Sequence, residues 1–183
     1  MSEAAMVLHC APTLAAIKTA NLVSYEYDSV SEMREAVRSW NCRLRDKGVR
    51  VLPLRYQNRK ALLYIYRPSR LAADFRDRKA KALLHRFGYS PEKTGQCILR
   101  LIKRLRGTEE FPHEIGLFLG YPPEDVDGFI CHHAKEYKCV GCWKVYGDEE
   151  KCRKLFASYR QCTRQYSDDL RNGVDVAAMT ISE

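Results

Sequence analysis

The sequence lacks any long hydrophobic run. No stretch of its 183 residues approaches the roughly 20 consecutive apolar residues that are needed to span a bilayer. The N-terminal segment also lacks the basic cluster of a secretory signal peptide, because it carries Glu3 and its apolar residues are interrupted by His9 and Pro12. We therefore expect a soluble cytoplasmic protein without a membrane segment.

Internal repeats and low-complexity linkers are also lacking. Their absence excludes a repeat array and a set of domains joined by flexible linkers. The hydrophobic fraction of 45% is that of an ordinary globular protein. We therefore predict one domain over residues 1–171 and a frayed C-terminal tail over residues 172–183, after the turn-forming pair Asn172 and Gly173.

The eight cysteines do not indicate a disulfide framework, because such frameworks belong to short secreted domains. In a reducing compartment each cysteine is a core residue, a metal ligand or a reactive thiol. Cys97, Cys152 and Cys162 lie on the apolar faces of predicted helices, which favours core packing. Cys42 falls outside the apolar stripe of its helix and is predicted to be exposed. The candidates for chemistry are Cys10, Cys131, Cys139 and Cys142.

Positive charge is concentrated in one segment. The chain has 31 Lys and Arg residues and 23 Asp and Glu residues, for a net charge of +8. Residues 67–106 contain twelve of the basic residues and three of the acidic ones, so this segment carries +9 and the rest of the chain −1. A basic helical pair on a nearly neutral body indicates a docking face.

Hydrophobic spacing and turn residues predict mixed helices and strands without regular βαβ alternation, which favours the α+β class. We expect a small antiparallel sheet made of a hairpin over 49–67 and strands near 20–27 and 142–146, covered by helices. Pro53 places the strand 49–56 at an edge of the sheet. The predicted helices cover residues up to about 18, from 29 or 31 to just before 48, 68–87, 90–106, 112–119, 123–131 and a long helix capped by Asp148.

Three motifs resemble a known family. They are residues 9–14 (HCAPTL), 111–126 (FPHEIGLFLGYPPEDV) and 143–151 (WKVYGDEEK), and residues 64–67 (YIYR) fit as well. Together they resemble an uncharacterised bacterial family, a domain of unknown function, over nearly the whole chain up to the tail. The resemblance implies a cytosolic bacterial protein and hints at redox or metal physiology. It supplies no activity.

Cys10 is the candidate nucleophile. We expect a helix to begin at Pro12, and the positive end of that helix would lower the pKa of a cysteine just before it. His113 is the best candidate base, and Glu114 would orient an imidazole. The alternative is that Cys10 fills space under the first helix and that 112–114 is an ordinary helix start.

Arg67 ends a strand of the hairpin and is the candidate anion anchor. Arginine forms two parallel hydrogen bonds with a carboxylate or a phosphate, and an aromatic residue such as Tyr64 would complete the ligand pocket together with His9. The alternative is an ordinary ion pair between Arg67 and a surface acid.

Cys139 and Cys142 have the C-x-x-C spacing with which zinc is bound. Cys131 or His133 would complete the set, so zinc or iron is the candidate cofactor. The usual second ligand pair is lacking, however, so the alternatives are a redox dithiol or a plain loop with free thiols.

Two function hypotheses follow. The first is a thiol-dependent enzyme or redox protein with Cys10 as the nucleophile and an anion-binding pocket. The second is a non-enzymatic binding module that docks an acidic protein partner through the basic helices 67–106 and holds a metal near Cys139 and Cys142. Aromatic residues for base stacking are sparse in 67–106, and the helix 123–131 carries Glu124, Asp125 and Asp127, so the sequence argues against nucleic acid. It leaves open whether the chain is an enzyme and what its oligomeric state is.

Overall fold

The structure is a computed structural model that describes residues 1–107 and 111–182. The helices are α1 (Glu3–Leu14), α2 (Val30–Leu44), α3 (Pro68–Asp74), α4 (Arg78–Arg86), α5 (Thr94–Arg106), α6 (Ile115–Phe118), α7 (Pro123–Cys131), α8 (Glu149–Arg171) and α9 (Val176–Met179). The strands are β1 (Ala20–Glu26), β2 (Arg50–Gln57), β3 (Lys60–Tyr66), β4 (Cys139–Val140) and β5 (Lys144–Val145). The predicted α+β class is confirmed. Across the described ranges no helix is both long and apolar enough to cross a membrane.

The chain divides into two compact units. Unit 1 consists of Met1–Ser69 together with Tyr159–Glu183, and unit 2 consists of Arg70–Ser158. The sequence shows no linker at either boundary, and the long helix α8 contains one of them. The single domain predicted over residues 1–171 is a statement about what folds as one piece. The division into compact units does not test it, so it stays a prediction.

Unit 1 contains a three-stranded antiparallel sheet with the strand order β1-β3-β2. The hairpin of β2 and β3 turns at Asn58 and Arg59, which both have positive φ and so give the tight reversal that a two-residue loop requires. The pairing of β2 shifts register between Pro53 and Arg55. Proline cannot donate to a strand ladder, and β2 lies at an edge of the sheet, as predicted.

The core of unit 1 lies between the sheet and its helices. Helix α1 contacts β1, α2 contacts β2 and α9 contacts α1. Every second residue of the central strand β3, namely Ala61, Leu63 and Ile65, joins this core. Apolar residues of α1, α2 and the C-terminal half of α8 complete it, including Met6, Leu14, Met33, Leu44 and Tyr166.

Two predictions about the ends of unit 1 are wrong. Helix α1 continues through Pro12 and ends at Leu14, whereas we expected a break before Pro12 and helix up to about residue 18. The last turn of α1 is buried from Cys10 to Leu14, and this packing outweighs the hydrogen bond that proline removes. Residues 172–183 do not form a frayed tail over their described part, because Asp175 caps α9 and Val176 is fully buried.

Unit 2 is mainly helical. The predicted helix 68–87 is interrupted, because Asp77 accepts hydrogen bonds from the backbone N–H groups of Lys79 and Ala80 and so starts α4 as a new helix. The strand predicted at 142–146 was expected to join the same sheet as the hairpin 49–67, and this expectation is also wrong. Strands β4 and β5 pair with each other as a separate two-stranded hairpin and do not join the sheet of unit 1.

Candidate functional site

Arg67 is fully buried in unit 1 and does not face solvent as an anion anchor would. Its guanidinium donates to four backbone carbonyl oxygens: Nε to Thr13 at 2.6 Å, Nη1 to Lys47 at 3.1 Å, and Nη2 to Leu14 and Ile181, each at 2.7 Å. Thr13 and Leu14 end α1, where carbonyl groups lack helical partners and the helix dipole is negative. Arg67 therefore caps α1 and ties it to the C-terminal segment. Both sequence interpretations of Arg67, anion anchor and surface ion pair, are replaced by this structural role.

Tyr64 and His9, the other predicted ligand-binding residues, differ in exposure. Tyr64 is fully buried and its ring stacks on Tyr66 with the ring centroids 4.5 Å apart, so it forms part of the packed interior. His9 is exposed on α1. The pocket that we expected around Arg67 therefore has neither an open arginine nor an open tyrosine.

Cys10 is fully buried within α1. Because α1 runs through Pro12, Cys10 lies near the C-terminal end of the helix and does not face the positive N-terminal end that the nucleophile hypothesis required. Burial raises the pKa of the Cys10 thiol to about 12, against a smaller opposite effect of Lys18. A thiol with this pKa is protonated at neutral pH, so its surroundings favour the alternative role as a core residue.

Alkylation should separate the buried thiols from the exposed ones. We expect iodoacetamide to modify Cys42, Cys131 and Cys142 in the native protein, because all three are exposed, and to leave Cys10 unmodified. Peptide mapping by mass spectrometry measures the rate at each cysteine, with protein denatured in guanidinium as the control. A Cys10 rate above that of the denatured control would restore the nucleophile hypothesis.

Glu114 lies in unit 2 and is also buried, with 1% of its surface exposed. Its Oε1 accepts a hydrogen bond of 2.6 Å from the Tyr89 hydroxyl and pairs with Nη1 of Arg104. The Glu114 carboxylate is therefore held by a tyrosine and an arginine. These contacts do not indicate that it orients an imidazole. His113 is exposed, and its ring lies 5.0 Å from the ring of Phe129. The meeting of His113 with Cys10 stays a prediction.

The proposed metal ligands differ in exposure, and a metal site made from them stays a prediction. Cys139 is buried at the start of the β4–β5 hairpin, whereas Cys142, Cys131 and His133 are exposed. Within residues 1–107 and 111–182, no group of three or more His, Cys, Asp or Glu side chains is arranged to hold a metal ion. Cys139 begins β4, and Cys142 lies in the turn between β4 and β5.

Asp125 organises the hairpin of unit 2. The side chain is 2% exposed, and its Oδ2 accepts hydrogen bonds from Nε1 of Trp143 at 2.7 Å and from Sγ of Cys152 at 3.4 Å. Its Oδ1 accepts from the backbone N–H groups of Tyr146 and Gly147 at 2.8 and 2.7 Å. The carboxylate thus joins α7 to β5 and α8. It also raises the pKa of Cys152, although burial is the larger cause.

The same hairpin borders a cavity of about 370 Å³ within unit 2. We call it the aromatic cavity, and its lining includes His113, Tyr121, Asp125, Phe129, Cys142 and Trp143. The rings of Tyr121 and Trp143 stack with centroids 4.5 Å apart. This volume lies within the range of about 300–1,000 Å³ that is typical of small-molecule sites.

A second concave surface of unit 2 lies between the end of α4 and α5. It has a volume of about 590 Å³, and we call it the basic groove; its lining includes Arg86, Phe87, Gly88, Arg100, Lys103 and Arg104. Among the residues that the structure describes, the charged ones that line it are all basic. The guanidinium carbons of Arg86 and Arg104 lie 5.2 and 5.6 Å from the centre of the Phe87 ring.

Gly88 shapes the basic groove. It has a φ of +74°, which a residue with a side chain adopts only with strain, and a Cβ atom there would lie 2.6 Å from Nη2 of Arg100. That same nitrogen donates a hydrogen bond of 3.1 Å to the carbonyl oxygen of Phe87. The turn after α4 therefore holds the Arg100 guanidinium against the backbone.

Sequence reasoning did not find the aromatic cavity or the role of Asp125. We interpreted Glu124, Asp125 and Asp127 together as exposed acids that would repel DNA, yet Asp125 is buried. The signal was present in the family-like motifs, because Asp125 belongs to 111–126 and its partners Trp143, Tyr146 and Gly147 belong to 143–151.

The comparisons with known proteins agree with the resemblance that these motifs suggest. One family model, described as protein of unknown function (DUF3793), matches residues 6–180. The search of curated proteins and the search of solved structures gave no match.

Proposed function

The chain belongs to the DUF3793 family, whose description assigns no activity, and we propose from its own residues that it is a non-enzymatic binding module which docks an acidic protein segment in the basic groove. The observation that carries the proposal is the lining of the groove. The charged lining residues within 1–107 and 111–182, namely Arg86, Arg100, Lys103 and Arg104, are all basic, and they lie on one concave surface. A concave surface of one charge sign concentrates an oppositely charged partner.

The geometry suits carboxylates. Arg86 and Arg104 pair with Asp127 and Glu114 respectively, and both guanidinium groups lie near the Phe87 ring, so a partner's carboxylates would add to existing ion pairs there. Arg100 is fixed by the carbonyl of Phe87, and Lys103 is exposed. Arginine side chains in fixed positions bind a carboxylate through two parallel hydrogen bonds at a reduced entropic cost.

An acidic protein segment fits this groove better than a nucleic acid does. Single-stranded nucleic acids are bound by several open aromatic faces on which bases stack. Phe87, the one aromatic side chain among the described lining residues, is half-buried and has guanidinium groups near its ring. The groove therefore offers charge and hydrogen bonds for a partner but little stacking surface.

Charge reversal in the groove tests the proposal. We expect Arg100→Glu combined with Lys103→Glu to weaken binding of a fluorescein-labelled polyglutamate peptide by about tenfold or more at low salt. The cause is the replacement of two attractive charges by two repulsive ones. Fluorescence anisotropy measures the Kd, and added salt should weaken binding to the unmodified protein.

The matched control reverses two exposed lysines of the same unit outside the groove, Lys135→Glu with Lys151→Glu. It changes the net charge equally and should leave the Kd within about twofold of the original. Equal weakening by both pairs would reduce the effect to net charge and contradict a specific groove. Tighter binding of a single-stranded DNA of matched charge would replace the acidic protein segment by nucleic acid.

Thiol and metal chemistry do not form part of this proposal. Cys10 is buried with a raised pKa, and the set of Cys139, Cys142, Cys131 and His133 is not gathered around a metal position. All eight cysteines are free thiols. Free thiols are typical of a reducing compartment, which supports a cytoplasmic location.

A further inference from the structure

The aromatic cavity has features of a small-molecule site that the basic groove does not have. Its volume is about 370 Å³, and aromatic side chains contribute several of its walls, namely Tyr121, Phe129 and Trp143. Small-molecule sites are typically concave and lined by hydrophobic and aromatic side chains, with a few polar groups that fix orientation. Here the polar groups include the exposed side chains of His113 and Cys142.

The walls of the aromatic cavity are held in place before any ligand binds. Asp125 fixes the indole of Trp143 through Nε1, and Trp143 packs edge-on against Phe156 with centroids 4.6 Å apart. A Cβ atom at Gly141 would lie 2.2 Å from the ring of Phe156, so the hairpin backbone rests directly on that ring. A prearranged site loses little conformational freedom on binding, which favours affinity.

The charged groups of the lining are already engaged. The Asp125 carboxylate accepts four hydrogen bonds. The Lys144 ammonium donates to the carbonyl of Ala134 and lies 4.7 Å from the centre of the Tyr137 ring. A charged ligand group would enter this cavity without a new ion-pair partner, and burying an unpaired charge is costly.

We propose that the aromatic cavity binds a small, uncharged molecule built around a flat aromatic or heteroaromatic ring. The ring stacks on the Tyr121 and Trp143 pair, and the polar edge of the ligand meets His113 or Cys142 at the rim. Stacked aromatic pairs contribute beyond the area that they bury, so a planar ring is preferred to an aliphatic one of equal size. This site is independent of the acidic partner in the basic groove.

Trp143 reports directly on ligand binding. The chain contains two tryptophans, Trp40 and Trp143, and Trp40→Phe in unit 1 leaves Trp143 as the single fluorophore of this kind. Quinoline, which is uncharged at neutral pH, serves as the probe. We expect the fluorescence lifetime of Trp143 to shorten saturably with quinoline. In ligand-observed NMR, we expect decahydro-2-naphthol, an uncharged aliphatic molecule of similar size, and quinoline-4-carboxylate to bind about tenfold more weakly or worse.

Two cysteine variants locate the probe. Cys142→Tyr places a bulky ring at the cavity and should weaken quinoline binding by about tenfold or more, whereas Cys131→Tyr alters an exposed cysteine outside the lining and serves as the control. Circular dichroism confirms that both variants fold. The proposal would be overturned if the lifetime did not change saturably with quinoline or if both variants weakened binding equally. Tighter binding of decahydro-2-naphthol or of the carboxylate would also overturn it. Neither the quinoline titration nor the comparison of the cysteine variants depends on polyglutamate binding. The proposal for the aromatic cavity and the proposal for the basic groove are therefore tested separately.

Discussion

Replacing Arg67 by alanine is expected to lower the free energy of unfolding by about 4 kcal/mol or more, because several hydrogen bonds from a buried charged group are lost and each contributes about 1.5–3 kcal/mol. The guanidinium holds the carbonyls of Thr13, Leu14, Lys47 and Ile181, three of them at 2.7 Å or less. Chemical denaturation followed by circular dichroism measures the loss. A smaller loss would show that water or a rearranged side chain satisfies these carbonyls.

Two further variants separate the hydrogen bonds of Arg67 from its volume. Arg67→Met keeps most of the apolar stem but donates no hydrogen bond, so it should be nearly as destabilising as alanine. Arg50→Ala is the matched control in the same unit. Arg50 is only partly buried and donates to two carbonyls, those of Arg45 and Val49. Its loss should cost less than about 1 kcal/mol. Equal losses for Arg50 and Arg67 would contradict the structural role of Arg67.

Replacing Asp125 by alanine is expected to destabilise the protein by about 3 kcal/mol or more, because several buried donors lose their acceptor together. These donors are the Trp143 indole, the Cys152 thiol and the backbone N–H groups of Tyr146 and Gly147. In the Trp40→Phe background, chemical denaturation followed by Trp143 fluorescence reports on unit 2. The native emission of Trp143 should also shift, since its indole N–H no longer donates to a carboxylate.

Asp127 provides the control for Asp125 on the same helix. Its carboxylate pairs with Arg86 at 2.8 Å, and about half of each side chain is exposed. Asp127→Ala should therefore cost less than about 1 kcal/mol. Asp125→Asn keeps the shape but presents an NH₂ group to donors, so it should lie close to alanine. Full stability in the asparagine variant would show that the negative charge and second acceptor of Asp125 are dispensable.

Local patterns predicted an element of the fold correctly where a single residue determines its position or its start. Pro53 predicted an edge strand because it cannot donate to a ladder, and β2 does lie at the edge. Asp148 was predicted to start the last long helix, and its carboxylate accepts from the backbone N–H of Lys151 at 3.0 Å. Such signals act within a few residues, so a single sequence contains them.

Predictions that depend on distant packing were less successful. Pro12 normally indicates a helix boundary, but the buried residues on either side of it keep α1 continuous. That difference also removed the physical basis for a reactive Cys10. The strand expected at 142–146 has the right composition, but its pairing partner is Cys139–Val140 next to it and not the larger sheet. Strand partners are set by tertiary contacts, which composition does not encode.

The candidate site residues also divide into those that local patterns identify and those whose role depends on distant packing. Charge counting found the basic segment 67–106, and the basic groove lies within α4, α5 and the turn between them. Charge counting also grouped Arg67 with that segment, although Arg67 is buried in the other unit and caps a helix. Asp125 and Glu114 were likewise interpreted as surface or catalytic acids. Whether a charged residue is buried depends on the fold and cannot be read from its neighbours in sequence.

The discontinuity of unit 1 affects the order in which the chain acquires structure during synthesis. Residues 70–158 form one continuous unit, while unit 1 needs segments from both sides of it. Arg67 can engage the carbonyl of Ile181 only after the ribosome has made 114 further residues. We therefore expect unit 2 to fold cotranslationally, while the Ile181 contact of Arg67 and the part of the unit 1 core that contains Tyr166 and Val176 form only after residues 159–181 have been made. During that interval the nascent N-terminal segment is the part of the protein most in need of a chaperone.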